Sequence, residues 1–138
     1  MRAVEALEGI AEADARLGRR VPLPTVPLPL ARWVDVIAVA PDGVEVAWNL
    51  DDSRPDTPGR LALYAGRRPP EPRMLNAATE PQPLGEGMTY REAPLAEAQP
   101  SLRPVRELCW THGGLHLRLT GQGQWTPEQL LAIARSVT

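Results

Sequence analysis

Lysine is missing from this chain altogether, and all fifteen of its basic residues are arginine. Phenylalanine is missing as well. With aromatic residues at only 4%, aliphatic side chains have to fill most of any core. A single cysteine excludes an internal disulfide and a multi-cysteine zinc site. Excess charge is also lacking: fifteen basic residues against seventeen acidic ones leave a net charge of −2, which makes no electrostatic case for nucleic acid or acidic membranes. No apolar run approaches the roughly 18–20 residues of a membrane-spanning helix. The opening segment MRAVEALEGIAEADARLG is acidic and amphipathic, unlike a secretory signal. The expected location is the cytoplasm if the chain is full length, and extracytoplasmic if it has been trimmed from an anchor.

What is present points to a single domain over residues 1–138. A chain of this length with 43% hydrophobic residues matches ordinary globular usage and can bury a core. The clearest pattern closes the chain, in ELCWTHGGLHLRLTGQGQWTPEQLLAIARSV over residues 107–137. Gly113-Gly114 as a two-residue turn sets His112 opposite Leu115, Trp110 opposite Leu117 and Leu108 opposite Leu119. Opposed residues share a face, so Leu108, Trp110, Leu115, Leu117 and Leu119 collect on one side. Glu107, Cys109, Thr111, His116, Arg118 and Thr120 collect on the other, the polar side of a half-buried hairpin. Thr126, Pro127 and Gln129 then give the N-cap, first-turn and capping-box signals of a helix. Its face of Leu130, Leu131, Ala134 and Val137 belongs on the apolar side.

Earlier in the chain, residues 3–17 read as a helix with Val4, Leu7, Ile10 or Ala11, and Leu17 on one stripe and Gly18 as its C-terminal cap. Pro22, Pro24, Pro27 and Pro29 follow, alternating with apolar residues. Each fixes its own φ and biases its predecessor to extended conformations. This segment reads either as a proline-rich ligand for a partner domain or as a cover whose Val and Leu side chains pack inward, and the second is the simpler. Residues 33–50 read as a hairpin around Pro41-Asp42-Gly43. A three-residue loop sets Ala38 opposite Val46, Val36 opposite Trp48 and Val34 opposite Leu50. The other face takes Asp35, Glu45 and Asn49 along with Ile37 and Val39. Residues 60–66 supply a third strand with Leu61, Leu63 and Ala65 inward. Residues 67–104 read as a Pro-rich loop, disordered in part, with a short strand near Met88–Glu92.

The residues that invite chemistry are few. His112 and His116 have the spacing of a helical zinc pair, but the hairpin register puts them on opposite faces, so they do not converge on a metal. Cys109 stands across from Arg118, whose guanidinium would lower its pKa; a small half-buried filler is the simpler reading. Asp51, Asp52 and Asp56 lack the ligand alternation of a calcium loop. The glycines of TGQGQW lack the Lys-Ser/Thr of a phosphate loop. Arg67, Arg68 and Arg73 offer contacts to an acidic partner.

Three stretches carry a family resemblance: EADARLGRRVPLPTVPLPLARWVDVIAV, the closing hairpin from Trp110 to Gly121, and EQLLAIARSV. Together they resemble a bacterial domain of unknown function found at the C-terminal, extracytoplasmic end of anti-sigma-factor-like membrane proteins and some lipoproteins. The resemblance leaves residues 67–104 unmatched and supplies no catalytic residues. It implies a sensory or interaction module. The transmembrane helix and sigma-binding part of those proteins have no counterpart here.

The fold expected is α+β: an antiparallel β-sheet meander of about five or six strands, with N- and C-terminal helices packed on it. The function expected is a non-enzymatic protein-interaction or sensory/regulatory module without cofactor or metal. Its interaction surface would draw on Pro22, Pro24, Pro27, Pro29, Trp33, Arg67, Arg68 and Arg73, and its partner would be another protein or a second copy of the chain. The alternative is a small-ligand or lipid binder with a cavity between sheet and helices.

Overall fold

The computed structural model describes residues 5–28, 31, 33–40, 42–50, 58–69, 82–85, 87–93, 105–123 and 125–138. In chain order the elements are β1 (Glu5–Ala6), α1 (Ile10–Leu17), β2 (Trp33–Ala40), β3 (Gly43–Asn49) and β4 (Pro58–Gly66), followed by β5 (Gln82–Gly85), β6 (Met88–Ala93), β7 (Val105–His112), β8 (Leu115–Gly123) and α2 (Pro127–Arg135). The described strands form one antiparallel sheet in the order β1-β2-β3-β4-β8-β7-β6-β5. The α+β class is as expected, but the strand count is not. Seven strands run from four to nine residues, and β1 adds a two-residue edge. The sheet is also not one meander. Two four-stranded meanders are joined where β8 pairs with β4, so the chain crosses to the far edge after β4 and works back.

The closing hairpin has the expected register: His112 pairs with Leu115, Trp110 with Leu117 and Leu108 with Leu119. Gly113 and Gly114 both take positive φ, 59° and 82°, which a two-residue turn of this hand requires and side chains resist. The β2–β3 hairpin is two residues out of the expected register. Val36 pairs with Val46 and Val34 with Trp48, and a bulge lies between Ala38 and Ala40. The turn is tighter than a three-residue loop because Ala40 already pairs with Gly43. An even shift leaves every side chain on its expected face.

One face of the sheet is aliphatic. Leu61, Leu63, Leu108, Leu117 and Leu119 are almost wholly buried, together with Leu17 of α1 and Leu130 of α2. Thr126 caps α2 as its sequence indicates: Gln129 N–H donates to Thr126 Oγ1 at 3.1 Å, and Thr126 N–H donates to Gln129 Oε1 at 2.8 Å. The buried stripe of α2 uses Leu130, Ile133 and Ala134, with Val137 buried just beyond its end and Leu131 only partly buried. At the other end, α1 is shorter than expected. It starts at Ile10, because the residues before it pair with β2. Gly18, at φ 79°, ends it.

The proline segment is a strap. Val21 is buried, and Leu23, Val26 and Leu28 pack against the core. It is pinned to the chain's last residues: Leu23 and Thr138 exchange two backbone hydrogen bonds of 3.2 Å, and Thr25 Oγ1 donates to Ser136 O at 2.9 Å. The stretch 67–104 is not simply a loop, because β5 and β6 lie within it. No helix among the described residues is long and apolar enough to cross a membrane.

Candidate functional site

The second face of the sheet departs most from what the sequence suggests. Alternation along each strand puts Asp35, Glu45, Asn49, Arg60, Tyr64, Glu107, Cys109, Arg118 and Thr120 there. A half-buried hairpin would leave its polar side in water. Instead Glu45 is 1% exposed, Glu107 2% and Arg118 3%. Small residues make room. Gly43 pairs with Gly66, and Ala47 with Ala62, so Tyr64 lies along the sheet over Gly43 and Gly66. Arg118 lies in turn over the Tyr64 ring, its Cζ 5.3 Å from the centroid.

These groups join into a ladder across five adjacent strands. Asn49 Nδ2 donates to Asp35 Oδ2 at 3.0 Å, and Arg60 Nε donates to Asn49 Oδ1 at 3.2 Å. Arg60 Nη2 stands 3.8 Å from Glu45 Oε1. Arg118 Nη2 donates to Glu45 Oε2 at 3.3 Å, and its Nε stands 3.9 Å from Glu107 Oε2. The Cys109 thiol completes the series, with Sγ 3.7 Å from Glu107 Oε1. Opposite charges alternate from Arg60 to Glu107. Such pairs add little net stability, because each charge has given up its hydration.

Cys109 gains no reactivity from this setting. Burial first, and then the neighbouring Glu107 carboxylate, push its thiol up to about 12 despite the opposing effect of Arg118. The guanidinium expected to activate it is already paired with two carboxylates. Cys109, Thr89, Thr111 and His116 line a shallow depression of about 290 Å³, but a thiol held protonated there is no nucleophile. His112 and His116 sit on opposite faces of the sheet, as their register requires. No cluster of three or more His, Cys, Asp or Glu among the described residues is placed to hold a metal ion. Between helices and sheet, Leu17, Leu61, Leu63, Leu119 and Leu130 are almost wholly buried.

The outer end of the ladder is different. Here β1 covers only part of β2: Glu5 pairs with Ala38 and Ala6 with Ile37, and Leu7 N–H donates to Val36 O at 2.8 Å. The chain then leaves the sheet for α1. Trp33, Val34 and Asp35 therefore form an edge that no described strand pairs. Trp33 is 46% exposed and Val34 49%, and Asp35 is exposed as well. In an antiparallel strand the N–H and C=O of one residue point the same way, alternating along the chain. Val36 C=O points away from β3, to Leu7, so both backbone groups of Val34 point to the open side too.

Of the residues expected on an interaction surface, only Trp33 lies at this edge. Pro22 is buried, Pro24 half-buried and Pro27 exposed. Their segment packs Val21, Leu23, Val26 and Leu28 against the core and is pinned at Leu23 and Thr25, the arrangement of a covering strap. Arg67 is exposed, but its Nη2 donates to Leu17 O at 3.1 Å, closing the end of α1. Arg68 faces Asp42 at 3.5 Å. Pro29 and Arg73 lie outside the described residues, as do Asp51, Asp52 and Asp56. The sequence reading missed Val34 and Asp35 as surface, and the buried ladder. Alternation assigns residues to a face but does not say which strand is an edge. No protein-family model matches the chain, and comparison with curated proteins and with solved structures gives no match either.

Proposed function

We propose that this protein is a non-enzymatic interaction module that docks an extended segment of a partner protein onto the open half of β2. The observation that carries the reading is the exposure of Trp33 and Val34, 46% and 49%, on a strand whose neighbour β1 ends before reaching them. An edge whose backbone groups meet no described strand, and which shows apolar side chains, is a template for strand addition, and native sheets usually blunt such edges. The far edge is blunted in that way, since β5 is short and carries Pro83. The edge at Trp33–Asp35 carries no proline. The buried ladder behind it supports the same reading, because it ties β2, β3, β4, β8 and β7 into a stiff platform. The class agrees with the sensory or interaction role that the family resemblance implies.

A photo-crosslinking amino acid at position 33, in cells that make the protein naturally, tests this. A discrete adduct at position 33 is expected, absent from exposed position 132 on α2 and lost with Val34→Pro. The same adducts from both positions, or adducts indifferent to Val34→Pro, overturn it.

A further inference from the structure

Resting on the strand-docking reading, we propose that the docked partner strand carries an arginine or lysine beside Asp35, next to an apolar residue opposite Val34. Val34 directs both backbone groups outward, so the incoming residue that exchanges two hydrogen bonds with it lies directly opposite. That residue shares the face of Val34, beside Val36 and the aliphatic core, and is apolar. Its two neighbours turn to the other face, one opposite Trp33 and one opposite Asp35. Asp35 Oδ2 accepts from the Asn49 amide, and no cation among the described residues pairs with its carboxylate. Arg60, the next cation inward, is committed to Asn49 and Glu45. The amide contact holds the carboxylate in place at the rim, with no described cation to compensate its charge. Trp33 stands two residues away on the same face, roughly 7 Å along the strand, with its ring open to solvent. A guanidinium or ammonium opposite Asp35 meets the carboxylate and lays its stem or plane against that ring.

A second copy of the chain satisfies the edge less well. A two-fold axis at Val34 sets each Asp35 opposite Trp33 of the second copy, so the register places an indole and not a cation across from either carboxylate. Charge complementarity therefore selects a basic strand over self-pairing.

The test uses a random heptapeptide library displayed on phage and selected against the whole protein. Wild type is expected to enrich peptides with Arg or Lys immediately beside an apolar residue. Asp35→Lys should replace that preference with Asp or Glu at the same position. For a selected peptide, Asp35→Asn weakens binding by about fivefold, the scale of one exposed ion pair. Val34→Pro removes only an outward N–H, which edge strands tolerate, and it should abolish enrichment. If Val34→Pro abolishes enrichment but wild type shows no basic preference, the basic partner is wrong and the docking edge survives. If enrichment persists in Val34→Pro, the docking edge itself is wrong. If wild type selects nothing and is a dimer that Val34→Pro renders monomeric, the occupant is a second copy and this proposal falls. If wild type selects nothing and is a monomer, both readings fall.

Discussion

Arg118 lies over the ring of Tyr64 and reaches past it to Glu45 on the next strand but one, Nη2 to Oε2 3.3 Å. Its other side faces Glu107. One guanidinium therefore answers two buried carboxylates, and the two sheet halves meet at that point, because β4 and β8 are the strands that join the meanders.

Removing this guanidinium should cost far more than removing an ordinary arginine. Arg118→Ala leaves Glu45 and Glu107 buried on either side of a gap, and a loss of about 3–5 kcal/mol is expected. Arg118→Lys keeps the charge but loses the planar fork and the stacking, so it should fall between. Replacing all three, as Glu45→Met, Glu107→Leu and Arg118→Met, should recover most of the loss. Urea unfolding midpoints check the series. A cost below about 1 kcal/mol for Arg118→Ala, the scale of a surface pair, contradicts the ladder.

The Cys109 thiol should be nearly inert while the protein is folded. Raising it from 9.0 to about 12 lowers the thiolate fraction at pH 8 by about a thousandfold relative to an ordinary cysteine. Iodoacetamide labelling followed by mass spectrometry should be correspondingly slow in buffer and fast in urea. Glu107→Gln should speed it.

The sign of the pH effect on stability follows from the same shift. The folded state holds the thiol proton more tightly than the unfolded state does. The stability this gives is full below about pH 9 and is lost as pH rises towards 12. Tyr90 adds to the alkaline loss, since burial and then its hydrogen bond to Glu92 push its phenol up as well. The difference between wild type and Cys109→Ala across this window isolates the thiol. An identical decline in the two contradicts it.

Parts of this molecule were legible in the sequence because they follow from local rules. The Gly113-Gly114 turn, the leucine alternation of β7 and β8, and the Thr126–Gln129 box each specify geometry within a few residues. The order of the strands was not legible. Placing β8 beside β4 depends on which pairing buries most apolar area, a comparison over the whole chain. The ladder was hidden for a related reason. Glu45, Glu107 and Arg118 look like solvated strand positions one at a time, and they meet only once three strands far apart in sequence lie side by side. The reading of residues 3–17 as a helix failed before Ile10 for a further reason: Glu5, Ala6 and Leu7 find backbone partners on β2, and that overrides helical periodicity.

Gly66 should tolerate no side chain while Tyr64 is present. A Cβ there overlaps the tyrosine hydroxyl and ring, and the phenol is held in place by donating to Arg68 O at 3.2 Å. Gly66→Ala is expected to cost about 1–3 kcal/mol, the range for overpacking. In a Tyr64→Ala background the same substitution should cost less than about 0.5 kcal/mol. Additive costs across this double-mutant cycle contradict a direct clash.

Trp33 should report on the open edge directly. The chain has four tryptophans; Trp110 and Trp125 are buried and Trp48 is partly buried against the core. Only Trp33 offers its indole freely to water, so iodide should quench one class of tryptophan strongly and the rest weakly. Trp33→Ser should remove the quenchable class and change unfolding stability by no more than about 0.5 kcal/mol, as for a surface position. Those two results together separate Trp33 from the core, since a tryptophan that helped hold the fold would fail the second. Val34→Pro should leave the quenching intact, because it alters the edge's hydrogen bonding and not the exposure of its neighbour. A selected docking peptide should then protect Trp33 from iodide and shift its emission to the blue in wild type, and do neither in Val34→Pro. Protection in both proteins would mean that the peptide binds the ring without adding a strand.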